Sequence, residues 1–125
     1  MHLIHRGLVN KKLKENLLIS FQKSFNRGFG IETDIHATKD REFVCFHDFT
    51  LKRTFNISKS VKNVNYQKLK EISKNKKAEI PLLKDLLKLS KNKFFLFIEI
   101  KPLFSKALLK KLLNETKNYS KCVFI

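Results

Sequence analysis

The 125-residue sequence has no tryptophan, one methionine, two prolines, three glycines and two cysteines. So little proline and glycine, with no low-complexity run, excludes a flexible linker and with it a two-domain layout; residues 1–125 read as one folding unit. Cys45 and Cys122 sit in apolar, strand-like runs without metal-type spacing. Buried reduced thiols and a cytoplasmic setting are therefore expected, not a disulfide or a ligand pair. The start, MHLIHRG, lacks the charged region, long apolar stretch and small-residue cleavage site of a signal peptide. The longest apolar run, Phe94 to Ile98, is far short of a membrane span, so a soluble protein with no transmembrane segment is expected.

Acidic residues are also scarce, 11 against 27 Lys and Arg, for a formal charge of +16. Such a charge draws phosphate-bearing molecules but does not choose among nucleic acid, an anionic membrane surface and a small phosphodiester. Most of the excess is lysine spread between apolar positions, as in Lys68, Lys70, Lys74, Lys76 and Lys77, which is the pattern of a solvated surface. No aromatic-and-basic recognition motif accompanies it, so no specific nucleic-acid partner is expected. What is abundant is core material: 42% hydrophobic residues, including 12 Phe.

Hydrophobic periodicity orders the elements. Met1 to Arg6 reads as a strand, and Leu13, Leu17, Phe21 and Phe25 at four-residue spacing read as a helix that Gly28 or Gly30 ends. IETDIHAT alternates strictly from Ile31, so it is a strand; residues 38–41 turn the chain, and Glu42 to His47 is extended again. A short helix around Tyr66, Leu69 and Ile72 has Asn65 as its expected cap, and Pro81 opens another with Leu82, Leu83, Leu86 and Leu87 on its buried face. A strand over 93–101, a helix over 105–118 and a last strand over 122–125 follow. Alternation of strand and helix predicts α/β architecture with a parallel sheet. The chain is too short for a complete (β/α)8 barrel, which takes about 250 residues.

Chemistry-bearing residues fall at strand ends. Residues i and i+2 of a strand share a face about 6.6 Å apart, which puts Glu32, Asp34 and His36 together. Phe95, Phe97, Glu99 and Lys101 likewise point one way, so a carboxylate and an ammonium close an otherwise apolar strand, at the end where α/β sites are built. His5 with Arg6, and His47 with Asp48, close two further extended segments, whereas His2 and His36 read as packed or surface residues. Two histidines can divide general acid and base work, three carboxylates can hold a divalent oxygen-seeking ion, and Arg6 with Lys101 can offset phosphate charge.

The chain resembles the glycerophosphodiester phosphodiesterase family over nearly its whole length. The likeness lies in HRG (5–7), ENLLISF (15–21), ETDIHATKD (32–40), FHDFTLKRT (46–54), IPLL (80–83) and IEIKP (98–102), six blocks in the family's order. It implies a TIM-type (β/α)8 barrel of which about the first half is present. It further implies a divalent ion, Mg2+ or Ca2+, at Glu32, Asp34 and Glu99; His5 and His47 as the acid/base pair; and Arg6 and Lys101 facing the phosphate. The implied reaction is hydrolysis of a small-molecule glycerophosphodiester to glycerol 3-phosphate and an alcohol. Attack by the substrate's own neighbouring hydroxyl and attack by water both fit.

The sequence departs from the family pattern where Lys14 replaces the usual proline, Leu17 the usual threonine, and Arg41 the common glycine after Asp40. The absent second half of the barrel leaves a second reading open: a truncated, catalytically inactive homologue, or a half-barrel interaction protein, the barrel being completed by a second copy or another chain if the gene product is not truncated.

Overall fold

The computed structural model describes residues 2–9 and 14–125. Its sheet contains β1 (Leu3–His5), β2 (Gly30–Ala37), β4 (Leu96–Ile100) and β5 (Cys122–Phe124), in that order and all parallel. The extended run after the turn is a short strand, β3 (Phe43–Cys45), which pairs antiparallel with the end of β2. A connection of only residues 38–42 allows nothing else, since a parallel crossover needs about a dozen residues or more. The helices are α1 (Leu18–Asn26), α2 (Lys52–Phe55), α3 (Tyr66–Asn75), α4 (Leu83–Ser90) and α5 (Lys106–Thr116). Four parallel strands are half of those in a closed (β/α)8 barrel.

The two faces of the sheet differ in the manner the alternation predicts. Ile31, Ile35, Leu96 and Ile98 join Phe21, Phe25, Leu83, Leu86 and Leu87 in the main core, on the helix side. Full burial of each such side chain contributes roughly 1.5–3 kcal/mol. A second cluster, with Val44, Phe46, Leu51, Phe55, Leu69 and Ile80, fills the space under the long segment after β3. On the opposite, inner face Leu3, Phe95 and Val123 keep 36–38% exposure, while Glu32, Asp34 and Glu99 lie nearer the carboxyl ends of the strands.

Local physics corrects three expected boundaries. The first helix starts at Leu18, because Asn16 sits at φ +54° and Leu17 is extended; Leu13 lies outside the described residues. It ends as a glycine-terminated motif in which Gly28 N–H donates to Phe25 O and Phe29 N–H to Ser24 O. Gly30 instead belongs to β2. Asn65 occupies the cap position of α3 without a side-chain hydrogen bond there; Asp40 Oδ1 accepts from Tyr66 N–H at 2.9 Å in its place. Pro81 precedes the cap of α4, and its carbonyl accepts from Cys45 N–H at 2.9 Å, tying the helix start to β3. Ser105 caps α5 as a helix-starting serine should, accepting from Leu108 N–H.

Two positions test this backbone account. Gly7 has φ +80°, and a Cβ there would lie 2.9 Å from Ser20 Cβ and 3.0 Å from the Ser20 carbonyl carbon. Gly7→Ala is expected to lower unfolding free energy by about 2–4 kcal/mol, combining left-handed strain with overpacking. Arg41 holds φ +64° at the position where the resembled family commonly has glycine. Arg41→Gly is expected to raise stability by about 0.5–1 kcal/mol, the relief of strain being partly offset by unfolded-chain entropy. Urea denaturation midpoints read both, and a destabilised Arg41→Gly would contradict the assigned strain.

Candidate functional site

The turn after β1 sets the site. Arg6 (φ +56°) and Gly7 are consecutive left-handed residues, so the chain reverses immediately after His5. Arg6 N–H donates to Glu32 O at 2.6 Å, and Asn16 N–H donates to Arg6 O at 2.7 Å, which pins this turn between β2 and the segment leading into α1. The Arg6 side chain returns over β2: Nε lies 3.1 Å from Asp34 Oδ2, and Nη1 donates to Glu15 Oε2 at 3.1 Å. Parallel register aligns His5 with Glu32 and Asp34 with Glu99.

One ligand atom each from His5, Glu32 and Asp34 lies within 4.8 Å of the others. His5 Nε2 is 3.0 Å from Glu32 Oε2. The group therefore includes a histidine expected to do acid/base work and not Glu99, whose Oε1 accepts from Lys101 Nζ at 3.1 Å. Lys101 Nζ also lies 3.5 Å from Asp34 Oδ1. Both cations expected to face phosphate thus rest against carboxylates: Arg6 on Asp34 and Glu15, and Lys101 on Asp34 and Glu99.

The electrostatics are those of a crowded anionic site. Burial, then repulsion from Asp34 and Glu99, pushes the Glu32 carboxyl up to about 7. The Lys101 hydrogen bond holds Glu99 below the usual range. Buried Glu32 Oε2 and Asp34 Oδ1 have no hydrogen bond among the described residues; their short contacts are to His5 Nε2 at 3.0 Å and Lys101 Nζ at 3.5 Å. Two such oxygens beside a third carboxylate fit a hard divalent cation, which takes oxygen ligands and removes the repulsion. Glu32 and Asp34 would hold it, with Glu99 next to Asp34.

His47 follows β3. Its Nδ1 lies 2.7 Å from Asp48 Oδ1, and Arg53 binds Asp48 through Nε (2.7 Å) and Nη2 (3.1 Å). His36 is packed as expected, 3% exposed, with Nε2–H donating to His47 O and the ring edge-on to Phe49. Reading the sequence missed Glu15, Asn16 and Arg53. Asn16, 3% exposed, accepts from Thr33 Oγ1 at 2.7 Å and sets its amide 3.5 Å from Asp34 Oδ2. Their signal was membership of the ENLLISF and FHDFTLKRT blocks; separation along the chain hid the contact.

Comparison with known proteins agrees with this geometry. The Glycerophosphoryl diester phosphodiesterase family matches residues 5–123. A glycerophosphodiester phosphodiesterase of Bacillus altitudinis is 34% identical over 107 residues, covering 78% of this chain and 43% of that protein. One from Caldanaerobacter subterraneus is 35% identical over 106 residues, with the same coverage. The chain thus spans a little under half the length of these relatives. The crystal structure of a glycerophosphodiester phosphodiesterase from Thermotoga maritima superposes with a TM-score of 0.83 at 29% identity, over 98% of this chain and 51% of that one. A second, from Galdieria sulphuraria and 23% identical, superposes at 0.84 over 98% of this chain and 54% of that one, and carries the fold alone. With the α/β half-barrel, the carboxylates at its strand ends and the family match over residues 5–123, the chain belongs to the glycerophosphoryl diester phosphodiesterase family.

Proposed function

We propose that this site hydrolyses glycerophosphodiesters to glycerol 3-phosphate and an alcohol, aided by a divalent ion, Mg2+ or Ca2+, at Glu32, Asp34 and Glu99. The observation that carries the reading is the pair of buried carboxylate oxygens, Glu32 Oε2 and Asp34 Oδ1, left without hydrogen bonds beside His5. When bound, such an ion polarises a phosphoryl oxygen and offsets charge developing on it. Arg6 and Lys101 orient the phosphate, exchanging part of their carboxylate contacts for it. His5 and His47 move the protons, one taking a proton from the attacking hydroxyl or water and the other giving one to the leaving alcohol oxygen. Free thiols at Cys45 and Cys122 suit the reducing, cytoplasmic setting proposed for the protein. Among the described residues no helix is long and apolar enough to cross a membrane.

A second reading concerns what completes the barrel. Among the described residues, the partly exposed inner-face residues Leu3, Phe95 and Val123, with β1 and β5 outermost in the sheet, present a surface suited to a second copy or another chain. Two sets of four parallel strands make the eight of a closed barrel. Molar mass by light scattering separates a self-assembling chain from a monomer.

Purified protein is expected to hydrolyse glycerophosphocholine with magnesium or calcium and to stop with chelator. His5→Ala and His47→Ala should each lower the rate about 10²-fold or more while far-UV circular dichroism stays unchanged, from the usual size of acid/base contributions. Full activity in chelator, or in either variant, would overturn the assignment.

Metal binding has a readout of its own. Glu32 has a folded pKa raised above its unfolded 4.5 to about 7, so its ionised form destabilises the metal-free fold above that range, and the penalty is absent below pH 4.5. Glu32→Gln is therefore expected to raise the metal-free melting temperature at pH 8 and not at pH 4, and to abolish stabilisation by added Mg2+ or Ca2+. Retained metal stabilisation in Glu32→Gln would remove Glu32 from the ligand set.

A further inference from the structure

From the His47 ring, an unbroken run of polar contacts passes through side chains of alternating charge, Asp48, Arg53, Glu15 and Arg6, to the buried Asp34. His47 contacts Asp48, Asp48 is gripped by Arg53, Arg53 reaches Glu15, Glu15 accepts from Arg6, and Arg6 lies against Asp34. Arg53 joins the two halves of this run, for it binds both Asp48 oxygens and also donates through Nη2 to Glu15 Oε1 at 3.0 Å. We propose that Arg53 and Glu15 are positioning residues that clamp Asp48 and so hold His47 in one tautomer, Nδ1 protonated and Nε2 free to exchange the transferred proton.

The argument starts from what Asp48 can do. The Arg53 hydrogen bonds hold its carboxyl down, to about 2, so near neutral pH it is ionised and only accepts. Its Oδ1 lies 2.7 Å from His47 Nδ1, and that contact requires the proton on Nδ1. A neutral imidazole with Nδ1 protonated has its other nitrogen free as a base. Free neutral histidine favours the opposite tautomer, so the orientation of Asp48 decides which nitrogen is available.

Asp48 does not orient itself. It follows β3 in a segment outside any strand or helix, and the next element, α2, is a single four-residue turn. A carboxylate on such a segment keeps its direction only if something planar fixes both oxygens, which is what a bidentate guanidinium does and an ammonium does not. Glu15 supplies the counter-anchor: its two oxygens accept from Arg53 and Arg6, which ties the clamp to the pinned turn after β1. The usual alternative for a 61%-exposed arginine is a surface ion pair contributing little. A surface pair would leave the tautomer of His47 unaffected, and that difference makes the proposal testable.

The role given to His47 rests on the proposed hydrolysis, but the clamp has a measurement independent of it. Imidazole 15N shifts of the full chain at pH 8, without metal or substrate, are expected to report a single Nδ1–H tautomer for His47. Arg53→Ala should give averaged shifts from mixed tautomers, Arg53→Lys a partial mixture, and Glu15→Gln a shift in the same direction as Arg53→Ala. Guanidinium ion added to Arg53→Ala should move the shifts back toward wild type. Where wild type hydrolyses glycerophosphocholine, kcat should fall about 10- to 100-fold in Arg53→Ala with KM little changed, the scale of lost orienting contacts. An unchanged His47 tautomer in Arg53→Ala would overturn the clamp; if that variant does not fold, the same result in Arg53→Lys and Glu15→Gln would overturn it. Absence of hydrolysis in wild type would overturn the enzymatic reading alone and leave the tautomer result to decide the clamp.

Discussion

Burying the Asp34 carboxylate is the constraint from which the rest of the structure follows. A fully buried carboxylate costs several kcal/mol unless charged partners and hydrogen-bond donors meet it. Here Arg6 approaches from the turn after β1, Lys101 from the residue after β4, and Asn16 from the segment before α1. Each partner imposes a condition on its own segment. Arg6 takes a left-handed backbone, Gly7 must be small enough to pass Ser20, and Asn16 leaves the helical region so that α1 begins two residues later. The same acidic residue thus sets the strand ends, the first turn and the first helix boundary.

Much of this was legible in the sequence because it follows from period-two alternation. Glu32, Asp34 and His36 on one face, Ile31 and Ile35 on the other, and Glu99 with Lys101 closing an apolar strand all sit where alternation puts them. The parallel order of four strands was legible from the interleaved helices. Less readable were features decided by tertiary contact. The four-residue spacing of Leu13, Leu17 and Phe21 runs on past the point where Asn16 turns the backbone. Asp40, 26 residues from Tyr66 in sequence, takes the capping role that Asn65 has by local rules. The Glu15–Arg53 contact joins residues 38 apart, a pairing that no local pattern encodes.

The charge distribution has a logic of its own. The protein is strongly basic, yet Glu15, Glu32, Asp34, Asp48 and Glu99, five of its 11 acidic residues, converge on one region. Lysines elsewhere are spread over exposed helix and loop positions, where they act on an anionic ligand only at long range and are screened by salt. Arg6 and Lys101, each only 19% exposed and held against carboxylates, keep their strength at short range because water around them is limited. The net charge and the site charge therefore have opposite signs and act over different distances.

The strand register also bears on the order in which the protein acquires its parts. Every side chain of the proposed centre lies between His5 and Lys101, on three adjacent strands and the loops that connect them. During synthesis, when amino-terminal segments fold first, all the residues of the centre have left the ribosome once Lys101 emerges. The buried Asp34 can then be neutralised by Arg6 and Lys101 before later segments arrive, so the carboxylate is not left without counter-ions in a growing core.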